Sequence, residues 1–108
     1  MRDGPAVAVA LDQARRTFGP IRAAVHAAGV IADGPIGRKD PDSFGRVFDT
    51  KVAGALALWE ALRPDPLAAF LIYGSWAGRF GNAHQTDYAA ANHALGRISE
   101  MLGQERTN

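Results

Sequence analysis

The stretch Leu67–Leu95, L-A-A-F-L-I-Y-G-S-W-A-G-R-F-G-N-A-H-Q-T-D-Y-A-A-A-N-H-A-L, decides the fold. Its first part, Leu67–Tyr73, is a short apolar run of the kind that forms a strand buried on both faces. A glycine-punctuated loop, Gly74–Asn82, follows. From about His84 to Gly103 the residues Tyr88, Ala91, Leu95, Ile98 and Leu102 recur at helical spacing and predict a helix. Strand, loop and helix in this order are the repeating unit of a parallel α/β sheet.

The upstream residues repeat the pattern. Val7, Leu11, Ala14 and Phe18 predict a helix over about Ala6–Phe18, stopped by Gly19-Pro20. Ile21–Val30, I-R-A-A-V-H-A-A-G-V, reads as a second buried strand. Ile31–Asp42 has three prolines or glycines within its first seven residues and reads as a loop. Ser43 is the expected N-cap of a helix reaching about Leu62, which Arg63-Pro64-Asp65-Pro66 ends. The order is helix, strand, helix, strand, helix. It implies right-handed crossovers and an α/β fold built on a doubly wound, Rossmann-like parallel sheet. Ligands gather beyond the carboxyl ends of such strands, here His26–Val30 and Gly74–Gly78.

Composition sets the bounds. The chain has 108 residues, enough for one small domain, and a formal charge of +1. That charge gives no case for nucleic acid or an anionic membrane as partner. No apolar run approaches the roughly 20 residues that span a bilayer. Without cysteine there is no disulfide or thiolate zinc site, and a reducing cytoplasm is the compatible location. His26, His84 and His93 lack metal-ligand spacing, so no metal site is expected. Asp12, Asp49, Glu60 and Glu100 read as solvated helix faces. Trp59 reads as helix packing. Trp76 reads as loop cover or as lining of an entrance.

Polar residues stand where apolar ones belong. Phe44, Val47, Phe48, Ala55, Leu58 and Leu62 form the stripe of the middle helix, and Lys51 falls inside it. Such a lysine either snorkels from the stripe edge or is a buried ammonium, which needs a partner. Asn92 lies on the stripe of the last helix, one turn from Tyr88 and on its face. Taken singly, Tyr88 reads as an amphipathic core tyrosine and Ser75 as a loop serine. Their convergence with Lys51 and Asn92 near a strand end points to a site.

These residues resemble the ketoreductase domain of polyketide and polyunsaturated fatty-acid synthases, a branch of the short-chain dehydrogenase/reductase superfamily. The matching segments are V-H-A-A-G-V at Val25–Val30, T-K-V-A-G at Thr50–Gly54, Y-G-S-W-A-G at Tyr73–Gly78 and G-N-A-H-Q-T-D-Y-A-A-A-N at Gly81–Asn92. Most of the superfamily has asparagine in the middle helix and lysine four after the tyrosine. Lys51 and Asn92 exchange these places, which marks the synthase branch.

The resemblance implies a catalytic set of Lys51, Ser75, Tyr88 and Asn92. Tyr88 would protonate the substrate carbonyl oxygen. A free phenol has a pKa near 10, so Lys51 would stabilise the phenolate. Ser75 would polarise the carbonyl, and Asn92 would complete the polar network. Ala27, Ala28 and Gly29, with Lys51 and Tyr88, would lie against the cofactor, NADPH. The implied reaction turns a 3-ketoacyl thioester on an acyl carrier protein into the 3-hydroxyacyl thioester. The implied partners are that carrier and other synthase domains in the same polypeptide.

Some positions depart from the family. Gly74 stands where a second serine is usual. Asp33 in I-A-D matches only the last residue of the L-D-D motif of one stereochemical class. Phe80 replaces the tryptophan of the other class, eight before Tyr88. The two together favour the D-hydroxyl class, and a loop-solvated Asp33 is the plainer alternative. No G-x-G-x-x-G occurs. Residues 1–108 are therefore expected to be the central part of a ketoreductase domain, lacking its N-terminal Gly-rich half and C-terminal strands. The expected activity is synthase ketoreduction. The alternative is a non-catalytic structural remnant without a working cofactor site. The 108 residues alone are expected to be marginally folded or self-associating, and inactive.

Overall fold

The computed structural model describes residues 2–107, of which Thr107 only through its backbone. Its elements are α1 (Gly4–Phe18), β1 (Ala23–His26), a 3-10 turn (Ile36–Arg38), α2 (Pro41–Ala61), β2 (Ala69–Ile72), α3 (Ala77–Phe80) and α4 (Thr86–Thr107). β1 and β2 pair in parallel, with Ala23 opposite Ala69 and His26 opposite Ile72. The predicted parallel α/β alternation is thus present.

Local chemistry explains the helix ends. Asp3 caps α1 by accepting from the Ala6 amide. α2 is capped by Asp40, not by Ser43: the Asp40 carboxylate accepts from the Ser43 amide at 2.8 Å. Pro41 then fits the first turn, where its missing N–H costs nothing. α4 starts at Thr86, two residues after the predicted start. His84 has a φ of 63°, a left-handed conformation outside any right-handed helix. The loop after β2 contains α3, a single turn too short for periodicity to reveal.

α2 packs against both α1 and α4, and the inner sheet face meets the helices. Val7, Leu58 and Leu62 centre one core, with Leu11, Ile21, Ala24, Leu67 and Phe70 against it. Ala91, Leu95 and Leu102 bury the α4 stripe. Phe18, expected on the α1 stripe, is exposed because it lies at the last turn, past the packed part of the helix. Asp65 staples the ends together. Its carboxylate accepts from Arg15 Nη2 at 2.6 Å and from the Ile21 amide at 3.0 Å. The Arg15 hydrogen bond, together with the Ile21 amide, holds the Asp65 carboxyl below the usual carboxylate pKa, against the effect of burial.

The strands are not buried on both faces as expected. Ala24, His26, Phe70 and Ile72 face the helices, whereas Val25 and Leu71 stay 52% and 48% exposed. A parallel crossover places α2 on one side of its two strands, and no described element covers the other side. The Cα radius of gyration is 15.1 Å, against about 13 Å for a compact domain of this size.

Candidate active site

Lys51 sits on the inward face of α2 and is 4% exposed. The snorkelling alternative therefore fails: its ammonium is held inside. Nζ donates to the Tyr73 carbonyl at 3.2 Å, at the carboxyl end of β2, and lies 5.5 Å from the centre of the Tyr88 ring. Burial lowers the Lys51 pKa from the usual lysine value. An ammonium has three N–H donors, so one carbonyl does not exhaust it. A ring facing an ammonium at this distance is also within cation–π range.

Tyr88 and Asn92 share a face of α4. Asn92 is 4% exposed, and its Nδ2 donates to the Tyr88 carbonyl at 2.8 Å. Its Oδ1 is buried without a hydrogen-bond partner among the described residues. Ser75 follows β2, and its Oγ accepts from the Ala77 amide at 3.2 Å, which opens α3. A hydroxyl that accepts still keeps its hydrogen to donate. Ser75 and Asn92 line one open cleft of about 470 Å³, together with Gly78 and His93. Thus α2, the end of β2 and α4 bring Lys51, Ser75, Tyr88 and Asn92 to the same end of the sheet.

Of the residues expected to lie against a cofactor, Gly29 is brought beside Lys51. Gly29 lies against Lys51: a Cβ there would stand 3.4 Å from Lys51 Cε and 3.6 Å from Nζ. Ala27 and Gly29 are exposed and Ala28 half-buried just past β1. This suits the nicotinamide side of a dinucleotide, where a small residue beside the ammonium leaves room for a flat ring. The phosphate side needs a Gly-rich loop at a helix N-terminus, which these residues do not contain.

Four contacts escaped the sequence reading. His26 is 1% exposed, and its ring Nε2 lies 2.8 Å from the Lys51 carbonyl. A carbonyl only accepts, so Nε2 carries the proton and donates, which leaves Nδ1 bare and without a partner among the described residues. Burial lowers the His26 pKa, outweighing the bond to Lys51 that acts to raise it. Gly78 presses on α4 so closely that a Cβ would stand 2.7 Å from both Asn92 C and His93 N. Asp87 is wholly buried, and its Oδ2 meets Lys39 Nζ at 3.0 Å, an ion pair off the hydrogen-bond angle. Gln85 Nε2 donates to both oxygens of Asp33, at 3.1 Å each. Only Asp87, a carboxylate beside the tyrosine in the first helical turn, left a signal that could have been followed.

Phe80 is 73% exposed, with Trp76 beside it at 6.2 Å between ring centres. Asp33 stands exposed on the loop before α2, where its carboxylate accepts from Gln85 Nε2. No group of three or more His, Asp or Glu able to hold a metal occurs among the described residues. No helix of the described residues is long and apolar enough to cross a membrane.

This architecture defines a class first: a Rossmann-like α/β segment of the short-chain dehydrogenase/reductase type, with its polar set at the carboxyl end of a parallel sheet. Residues 2–107 match the family described as the KR domain, and the chain belongs to that ketoreductase family. It is 42% identical over 97 residues to the polyketide synthase GfsA of Streptomyces halstedii, covering 90% of this chain and 1% of that protein. It is 39% identical over 80 residues to the pikromycin polyketide synthase component PikAIII of Streptomyces venezuelae, covering 74% of this chain and 5% of that one. A polyunsaturated fatty acid synthase of a Thraustochytrium species is 42% identical over 84 residues, covering 78% of this chain and 3% of the matched polypeptide. Among solved structures, a ketoreductase domain from the bacillaene assembly line superposes with a TM-score of 0.86 at 32% identity. That match covers 97% of this chain and 26% of the other. The chain thus spans a small part of the proteins it matches.

Proposed function

We propose that these residues carry the proton-handling side of an NADPH-dependent ketoreductase, acting on a 3-ketoacyl thioester held by an acyl carrier protein. The product is the 3-hydroxyacyl thioester. The observation that carries this reading is the buried Lys51 ammonium, set between the Tyr73 carbonyl and the Tyr88 ring.

NADPH supplies the hydride when bound, with Ala27, Ala28, Gly29, Lys51 and Tyr88 on its nicotinamide side. Ser75 Oγ donates a hydrogen bond to the substrate carbonyl oxygen and so stabilises the negative charge that develops there. Tyr88 holds, at its Oη, the proton that this oxygen takes up. Lys51 stabilises the phenolate left behind. Asn92 holds the α4 backbone at Tyr88, and its free Oδ1 offers an acceptor for the same polar network. Asp33 and Phe80 flank the approach and select the D-hydroxyl product.

The polypeptide is read as cytoplasmic, with further synthase domains beside this one and the carrier protein as partner. Residues 1–108 are read as the central part of the domain. The bare outer face of β1 and β2 and the missing phosphate loop support that division, because helices packed on that face and a dinucleotide loop from elsewhere would complete both. The convergence of the buried Lys51 and Asn92 on the half-buried Tyr88 argues against a decayed structural remnant, in which inward polar groups would be lost first.

The test is Tyr88→Phe in the complete synthase polypeptide. Turnover is expected to fall by about 10²-fold or more, the worth of a general acid, with NADPH still bound. Unchanged turnover would remove Tyr88 from its role.

A further inference from the structure

We propose that Lys39 and Asp87 are positioning residues, an internal latch that locks the loop before α2 to the first turn of α4 and so sets the direction of Tyr88. The Asp87 side chain is wholly buried and that of Lys39 is 6% exposed, with 3.0 Å between Nζ and Oδ2. Two charges taken out of water at such depth are held only where each satisfies the other.

Each partner does a second job. Lys39 Nζ donates to the Ala32 carbonyl at 2.6 Å, which closes its own loop on itself. Asp87 Oδ1 accepts from the Tyr88 amide at 2.8 Å. One cation therefore grips both ends of the loop and, through one carboxylate, the backbone of Tyr88. Two further ties join the same pair of segments: the Gly34 amide donates to the His84 carbonyl at 2.9 Å, and Gln85 holds Asp33. The Gln85–Asp33 tie is exposed, and water competes for it. The buried pair is the one water cannot replace.

The consequence for chemistry rests on the reading of Tyr88 as proton donor. A phenol must meet the carbonyl oxygen within hydrogen-bond reach, and an error of about 1 Å costs on the order of 100-fold in rate. A latch that moves with the loop carrying Asp33 also couples proton delivery to the residue read as a stereochemical selector.

The test is a cycle of Lys39→Met, Asp87→Asn and the double variant in the complete synthase polypeptide. It is read by thermal stability, by kcat and KM, and by amide hydrogen exchange of residues 31–40 and 82–88. Lys39→Met alone leaves a buried carboxylate unpaired and is expected to be the least stable. The double variant removes both charges and keeps an acceptor for the Tyr88 amide. Its stability is expected near that of the parent, with kcat lower by about tenfold or more, KM for NADPH within about twofold, and faster exchange in both segments. A merely structural pair would return kcat together with stability. The latch is overturned if the double variant matches the parent in kcat and in exchange. Exchange is read without substrate, so it judges the latch even if the parent fails to reduce a ketoacyl thioester.

Discussion

Replacing Gly78 with alanine gives the sharpest check on how the site is assembled. Gly78 lies on α3, which seats Ser75, and faces the Asn92–His93 peptide of α4, which carries Tyr88 and Asn92. An added Cβ would stand 2.7 Å from Asn92 C, 2.7 Å from His93 N and 2.9 Å from Asn92 Cβ. Ordinary contact begins near 3.4 Å, so the shortfall is 3.4 − 2.7, or 0.7 Å, against main-chain atoms that cannot rotate aside. α4 cannot retreat, because Ala91 and Leu95 beside the contact are 0% and 1% exposed. α3 must therefore back away, carrying Ser75 from Asn92 and Tyr88. Over-packing of this kind costs about 1–3 kcal/mol, and a displacement approaching 1 Å at Ser75 lowers kcat by on the order of 10–100-fold. The assay is urea denaturation and ketoreduction of Gly78→Ala in the complete domain. The control is Gly74→Ser, four residues earlier. Gly74 has open space around its Cβ position and no left-handed φ, so its replacement is expected to shift stability by less than about 0.5 kcal/mol. If Gly78→Ala behaves like Gly74→Ser, the close approach of α3 to α4 is wrong, and glycine is not required there.

Two other outcomes follow from the buried groups and from what these residues lack. His26 is neutral in the fold with its pKa lowered by burial, so the unfolded chain binds the extra proton first. Stability is then full above the unfolded value of about 6.5 and declines as pH falls from there toward the folded pKa. Denaturation midpoints at pH 7.5 and 5.5 should differ in the parent by more than in His26→Gln, and equal differences would exclude His26 as a source. The 108 residues alone should show no saturable change in NADPH fluorescence, because no Gly-rich loop is present to hold the phosphates. Saturable micromolar binding would refute that.

Much of the arrangement was legible because its signals are local. Apolar runs bounded by Gly and Pro marked both strands, and helical spacing marked the three long helices. Inward polar residues at Lys51 and Asn92 stood out against apolar stripes. The misses came where local signals compete or do not exist. Ser43 looked like a cap, but Asp40 three residues earlier captured the amide, helped by Pro41. α3 is too short for any periodicity. Val25 and Leu71 are apolar like their neighbours, and only the placement of every packed helix on one side leaves them bare.

The sequence by itself determined the parallel alternation and the family, and it singled out Lys51, Ser75, Tyr88 and Asn92 as candidates, because each depends on residue type and spacing along one chain. Only the tertiary structure decided that the Lys51 ammonium is enclosed and aimed at Tyr73 and Tyr88. It alone decided that His26 holds the carbonyl of that lysine and that Lys39 reaches Asp87. The physical reason is distance along the chain. Burial, ion pairing and steric exclusion arise between segments brought together by packing, and the energy of each depends on solvent exclusion that no single segment can produce.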